Sequence, residues 1–160
     1  SVNLGKLFKN DSTAIPPATP KGIITLLKKY NIEIDGKNAV VIGRSDIVGL
    51  PVAAMLQNGN ATVTMCHSHT NNLKNITKSA DILIVSIGKA EYIHADFVKE
   101  GCAVIDVGTN RNGKGKLVGD VDFDSVKEKV EYITPVPGGV GPMTIASLFS
   151  NLIEIYIRNV

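Results

Sequence analysis

Apolar residues in this chain gather in short runs at a nearly fixed interval. Runs begin at Ala39 (AVVIG), Ala61 (ATVTMC), Ile82 (ILIVS) and Ala103 (AVIDVG), in steps of 22, 21 and 21 residues. The first, third and fourth do not alternate with polar positions, which is the pattern of strands covered on both faces in a parallel sheet. Each interval has room for one helix and its turns. Residues 50–57 (LPVAAMLQ) read as such a helix, ended by Asn58-Gly59. Four β-α repeats of this kind predict an α/β fold with an open, doubly wound parallel sheet flanked by helices.

The flanks carry their own signals. Thr19 suits an N-cap and Pro20 a first helical position, ahead of an apolar stripe at Ile23, Ile24, Leu26 and Leu27. Ser125 and Glu128 have capping-box spacing, which predicts a short helix there. Tyr132-Ile133-Thr134 reads as one more short strand. The loop PVPGGVGPM follows, and then an apolar helix over about residues 144–158. That helix is apolar on more than one face, through Ile145, Leu148, Phe149, Leu152, Ile153, Ile155, Tyr156 and Ile157. One flank of a small sheet does not cover so much, so part of it is expected to pack on another domain or chain. Residues 1–18 show no sustained period and end in Pro16-Pro17. They read as a linker or tail from something upstream, with 19–160 as one domain.

Composition narrows the classes. The chain has 160 residues, 44% hydrophobic and 20% charged, which argues against disorder and coiled coil. Its 17 basic and 15 acidic residues are mixed, for a net charge of +2, so nothing calls for nucleic acid or a membrane surface. No run approaches the ~18 apolar residues of a membrane span, and the N-terminus is read as lacking a signal-peptide core. Cys66 and Cys102 are expected to be free buried thiols in a reducing compartment. His67 and His69 lack a third ligand at recognisable spacing. Asp120, Asp122, Asp124 and Glu131 match some positions of a calcium loop, but Ser125 stands where its glycine belongs. No metal site is expected.

The segment Gly43-Arg44-Ser45-Asp46-Ile47-Val48-Gly49-Leu50-Pro51 joins the first strand to a helix. A Rossmann-type fold binds a dinucleotide at that turn, where glycine allows a sharp bend and the helix start offers N–H groups to phosphate. The spacing is not GxGxxG, because Ser45 replaces the second glycine. After the second strand the chain reads Cys66-His67-Ser68-His69-Thr70, without the acid that holds an NAD ribose. A 2′-phosphate fits better there, with Arg44 and Ser68 to hold it, so NADP is expected over NAD. The loop of residues 135–144 has little side-chain bulk, so its backbone can approach a ligand closely. Asp106, at the end of the fourth strand, reads as a loop-orienting acceptor rather than a base.

These segments resemble a known family. PATPKG at 17–22, GRSDIVGLP at 43–51, ATVTMCHSHT at 61–70, VIDVGTNR at 104–111, VGDVDF at 118–123 and ITPVPGGVGPMT at 133–144 are similar to the bifunctional methylenetetrahydrofolate dehydrogenase/cyclohydrolase. VNLGKLF at 2–8 resembles the stretch before that family's cofactor domain. The resemblance implies oxidation of 5,10-methylenetetrahydrofolate to the 5,10-methenyl form with NADP, then hydrolysis to 10-formyltetrahydrofolate. It further implies one-carbon metabolism serving purine biosynthesis, a cytoplasmic setting, a folate substrate and a homodimer. It places Gly43, Arg44 and Ser45 at the cofactor phosphates and Ser68 near the 2′-phosphate. Thr19, Gly141 and Thr144 fall near the cofactor, and Thr109 near its nicotinamide end. Pro137 and Gly138 face the folate side. Thr109 stands where the family usually has Ile, Ala18 where it often has Cys, and His69 where many members have Lys or Arg.

One family element is absent. Its active lysine belongs to a Tyr-x-x-x-Lys motif in a separate N-terminal domain. The four tyrosines here are followed four residues later by Ile34, Asp96, Val136 and Val160. No catalytic residue is therefore expected in this chain, which should bind NADP without turnover. Two other readings stand beside this one: an NADP dehydrogenase of the shikimate type, and a non-catalytic module that assembles through its apolar helices.

Overall fold

The computed structural model describes residues 2–159. The helices are α1 (Val2–Phe8), α2 (Ala18–Lys29), α3 (Gly49–Asn58), α4 (Leu73–Thr77), α5 (Phe123–Val126) and α6 (Val140–Arg158). The strands are β1 (Asn38–Ile42), β2 (Thr62–Cys66), β3 (Ile82–Val85), β4 (Ala103–Asp106), β5 (Asn110–Arg111), β6 (Leu117–Val118) and β7 (Tyr132–Ile133). Five strands form one sheet in the order β2-β1-β3-β4-β7, parallel at every pairing. β5 and β6 make a separate antiparallel hairpin.

The three apolar runs without alternation are the three inner strands, and β3 and β4 are buried at every position. Successive side chains leave a strand on opposite faces, so each run feeds two cores. Val41, Ile84 and Ile105 pack with Ile23, Leu27, Val52 and Leu56 beneath α2 and α3. Val40, Leu83 and Val104 pack on the other face with Ile93, Phe97 and Val126. β2, at the edge, alternates exposed and half-buried positions before ending in the buried Cys66. Cys66 and Cys102 are both free and buried, and burial raises the Cys102 thiol to about 12.

Several local expectations are revised. Residues 2–8, expected to be part of a formless tail, form α1, whose one buried residue is Leu7. The Asn58 side-chain amide donates to the Leu7 carbonyl at 3.0 Å and ties α1 to α3. Thr19 does not cap α2. The helix starts two residues before Pro20, at Ala18 with Pro17 at the N-cap, and Thr19 points its hydroxyl at Thr144 instead. The cap of α5 is Asp122, whose carboxylate accepts the Ser125 N–H at 3.3 Å, rather than Ser125 itself. α6 begins at Val140, so part of the glycine-rich loop is already its first turn.

α2 and α6 lie against each other along a polar seam. Lys21 Nζ donates to Asn151 Oδ1 at 2.8 Å and pairs with Glu154 at 3.3 Å. The Asn151 amide donates to the Pro16 carbonyl at 2.7 Å. Only Val140, Ser147 and Asn151 of α6 are buried, while the eight large apolar residues from Ile145 to Ile157 are exposed. The helix is 19 residues long and holds an 18-residue window of mean hydropathy 1.3, long and apolar enough to cross a membrane by length and composition alone. Ser147, Ser150, Asn151 and Glu154 interrupt the apolar run in sequence without interrupting the helix.

Candidate functional site: a cleft at the sheet's switch point

The chain passes from β1 outward to β2, then returns to β3 on the other side of β1. Loops leaving the two strands diverge there and open a crevice at the carboxyl ends, where open α/β sheets bind ligands. Gly43 and Ser86, the first residues beyond β1 and β3, meet at the base of that crevice. Gly43 has φ +126°, and a Cβ there would lie 2.2 Å from the Ser86 carbonyl oxygen. Glycine is required by conformation and by space alike. Gly49 opens α3 against the same turn, where a Cβ would lie 2.4 Å from the Gly43 carbonyl oxygen.

The turn leaves donors free. Ser45 Oγ accepts the N–H groups of Val48 and Gly49 at 3.2 and 3.3 Å, so its hydroxyl shapes the helix entrance. Among the described residues, the N–H groups of Arg44, Ser45, Asp46 and Ile47 meet no protein acceptor, and Arg44 has no ion-pair partner. Unsatisfied N–H groups at a helix entrance, beside an unpaired guanidinium, are suited to a phosphate.

Two cavities open along this edge, and Ser86 lines both. The first, of 360 Å³, contains Gly43, Arg44 and Ser68 with His67, Ile87, Lys89 and Tyr92. The second, of 540 Å³, gathers Thr19, Thr109, Pro137, Gly138, Gly141 and Thr144 with Asp106 and Gly108. The hydroxyls of Thr19 and Thr144 lie 2.9 Å apart and join α2 to α6 at its rim. Of the ten residues singled out in the sequence, nine line one of these cavities; Ser45 lies in the turn between strand and helix. Sequence reasoning passed over Ser86, Ile87, Lys89 and Tyr92. The one signal, for Ser86, Ile87 and Lys89, is place just after the apolar run ILIV, since the carboxyl end of each inner strand borders the crevice.

Asp106 ends β4 beneath the second cavity and is 3% exposed. Oδ1 accepts the N–H groups of Gly108 and Asp120 at 2.9 and 3.0 Å, and Oδ2 that of Val121 at 2.9 Å. Burial raises its pKa to about 6, against the pull of those three N–H groups. Its acceptor capacity is spent on backbone, the role expected of a loop organiser.

A parallel sheet reversing direction at β1, a glycine turn with free donors and paired cavities above it define a dinucleotide-binding domain of the Rossmann type. The chain matches the family model described as tetrahydrofolate dehydrogenase/cyclohydrolase, NAD(P)-binding domain, over residues 17–160, and it belongs to that family. It is 63% identical over 142 residues to the bifunctional protein FolD of Agathobacter rectalis, an alignment covering 89% of this chain and 51% of that one. The FolD methylenetetrahydrofolate dehydrogenase/cyclohydrolase structure from Campylobacter jejuni superposes with a TM-score of 0.97 at 49% identity, covering 99% of this chain and 56% of that one. The Trypanosoma brucei enzyme, solved with NADP cofactor and an inhibitor, gives a TM-score of 0.92 at 41% identity, with 99% and 56% coverage. The chain thus spans about half the length of the relatives it matches.

Proposed function

We propose that this chain is the cofactor-holding part of an enzyme that oxidises 5,10-methylenetetrahydrofolate with NADP and hydrolyses the 5,10-methenyl product to 10-formyltetrahydrofolate. The observation that carries the reading is the unpaired Arg44 beside four free N–H groups at the sheet's switch point. Those groups fit the phosphates of a dinucleotide, with Gly43, Arg44 and Ser45 at the turn. Arg44 and Ser68 in the smaller cavity suit a 2′-phosphate, which favours NADP over NAD. When bound, NADP supplies the hydride acceptor.

The residues of the larger cavity position the reacting end. Thr19, Thr109, Gly141 and Thr144 form the cofactor's side of it, and Pro137 and Gly138 the rim toward folate. Hydride transfer needs cofactor and folate held face to face, and hydrolysis needs an activated water. This chain offers the cofactor floor and one wall of that arrangement. The lysine-bearing machinery, absent from its four tyrosine contexts, belongs to the other half of the relatives' length. The exposed apolar face of α6 is the surface that half covers, and residues 1–18 lead from it. A cytoplasmic homodimer serving one-carbon metabolism and purine biosynthesis completes the reading, on the strength of the family resemblance.

Titrating the chain with NADP and NAD by calorimetry tests this directly. NADP should bind more tightly than NAD, and neither dehydrogenase nor cyclohydrolase turnover should be detectable. Absence of binding at millimolar concentration refutes the cofactor reading; full turnover by this chain refutes the division of labour.

A further inference from the structure

We infer that Asp120 is a positioning residue that joins the two halves of the cleft, so that a ligand spanning both cavities depends on it differently from a ligand filling one. This rests on the cleft being an NADP site.

Asp120 is fully buried, and no cationic side chain pairs with it among the described residues. Oδ2 accepts the N–H groups of Ile87 and Gly88 at 2.7 and 3.1 Å. Oδ1 accepts the Lys89 N–H and the Asn110 side-chain amide, each at 2.8 Å. Four donors converge on one side chain. An ionised carboxylate, acceptor-only with about four lone-pair sites, satisfies them all, whereas an amide of the same shape turns an NH₂ toward at least one N–H.

The donors come from two different walls. Ile87 to Lys89 form the turn after β3, where Ile87 and Lys89 line the Arg44 cavity. Asn110 opens β5 directly after Thr109, which lines the larger cavity. Gly108 in that same cavity lies against the carboxylate, since a Cβ there would fall 2.4 Å from Asp120 Cγ. Asp120 is itself held from below, its N–H donating to Asp106 Oδ1 at 3.0 Å and its carbonyl accepting from Ile93 at 3.0 Å. One buried carboxylate therefore sets the spacing between the adenosine-side turn and the nicotinamide-side strand.

Isothermal calorimetry on the chain with two probes, NADP and 2′,5′-ADP, tests this. The second probe occupies only the Arg44 half. Asn110→Ala cuts the link to the nicotinamide side and leaves the three backbone donors of residues 87–89 in place. NADP affinity should fall about fivefold or more, the loss expected for one hydrogen bond of about 1 kcal/mol, while 2′,5′-ADP affinity stays within about twofold. Asp120→Asn, if it folds, should weaken both probes. An equal loss of both probes in Asn110→Ala, or no loss of NADP, overturns the inference while leaving the NADP reading intact. Failure of the unaltered chain to bind either probe overturns both.

Discussion

Replacing Gly43 by alanine attacks the junction on which the cleft is built. The new Cβ would lie 2.2 Å from the Ser86 carbonyl oxygen, whereas ordinary contact begins at 3.4 Å. The ends of β1 and β3 must move apart by ~1 Å or the turn must leave φ +126°. Either response strains two bonds that close the sheet there, Ser86 N–H to the Ile42 carbonyl at 2.8 Å and Gly43 N–H to the Cys66 carbonyl at 2.9 Å. Backbone strain of about 1–3 kcal/mol and about 1 kcal/mol for each bond put the loss at ~3–5 kcal/mol. A domain of ordinary stability, about 5–15 kcal/mol, stays folded in most of that range but melts ~6–20 °C lower. Urea denaturation followed by circular dichroism, with thermal melting alongside, measures the effect. A loss below ~1 kcal/mol would show that the strand ends are not locked as described, and the argument for a rigid phosphate turn would fail with it.

Arg44→Ala should weaken NADP by about 5- to 150-fold, since an exposed charge-assisted contact of about 1–3 kcal/mol is removed, and should weaken NAD less, since NAD has no 2′-phosphate; equal losses by calorimetry would mean that Arg44 does not read the 2′-phosphate. Asp106 holds its proton up to about 6 in the fold against 3.8 for the ordinary group, so its contribution to stability declines as pH rises through that window and is level above it. The difference amounts to about 3 kcal/mol, and Asp106→Asn should flatten the urea-denaturation profile between those values; an unchanged slope would assign it to other groups. Leu148 and Leu152 are 61% and 62% exposed, so Leu148→Glu with Leu152→Glu should shift the melting free energy by no more than ~0.5 kcal/mol each while reducing self-association in light scattering. A large loss of stability would mean that α6 packs on this chain after all.

The sheet was legible because β1, β3 and β4 are buried on both faces, and burial on both faces leaves an unbroken apolar run. α1 was not, since it buries only Leu7 and so writes no stripe. The β5–β6 hairpin was missed for a similar reason: its strands are two residues long, one strand polar and the other apolar, too short to show a period. At α5 two residues with cap chemistry lie three apart, and sequence cannot tell that Asp122 accepts while Ser125 donates its N–H. Thr19 misled through the same ambiguity, a hydroxyl near a helix start whose partner is 125 residues away. In the cleft, the family resemblance found the residues with distinctive motifs. Asp120 stands in the quoted VGDVDF segment, but its linking role escaped because its donors are mostly backbone N–H groups, which every sequence has.

The seam between α2 and α6 bears on the order in which the molecule assembles. Each βα repeat joins neighbours some twenty residues apart, but Lys21 and Asn151 meet across 130 positions. A ribosome can release all of the strands before the α6 partners of the Lys21 ammonium, Asn151 and Glu154, exist. Closing contacts of that span carry the largest loop entropy and come late. Completion of the domain is therefore an event of the last helix: a chain stopped before residue 140 would leave α2 without its α6 contacts and the larger cavity without the wall that Val140, Gly141, Pro142 and Thr144 supply.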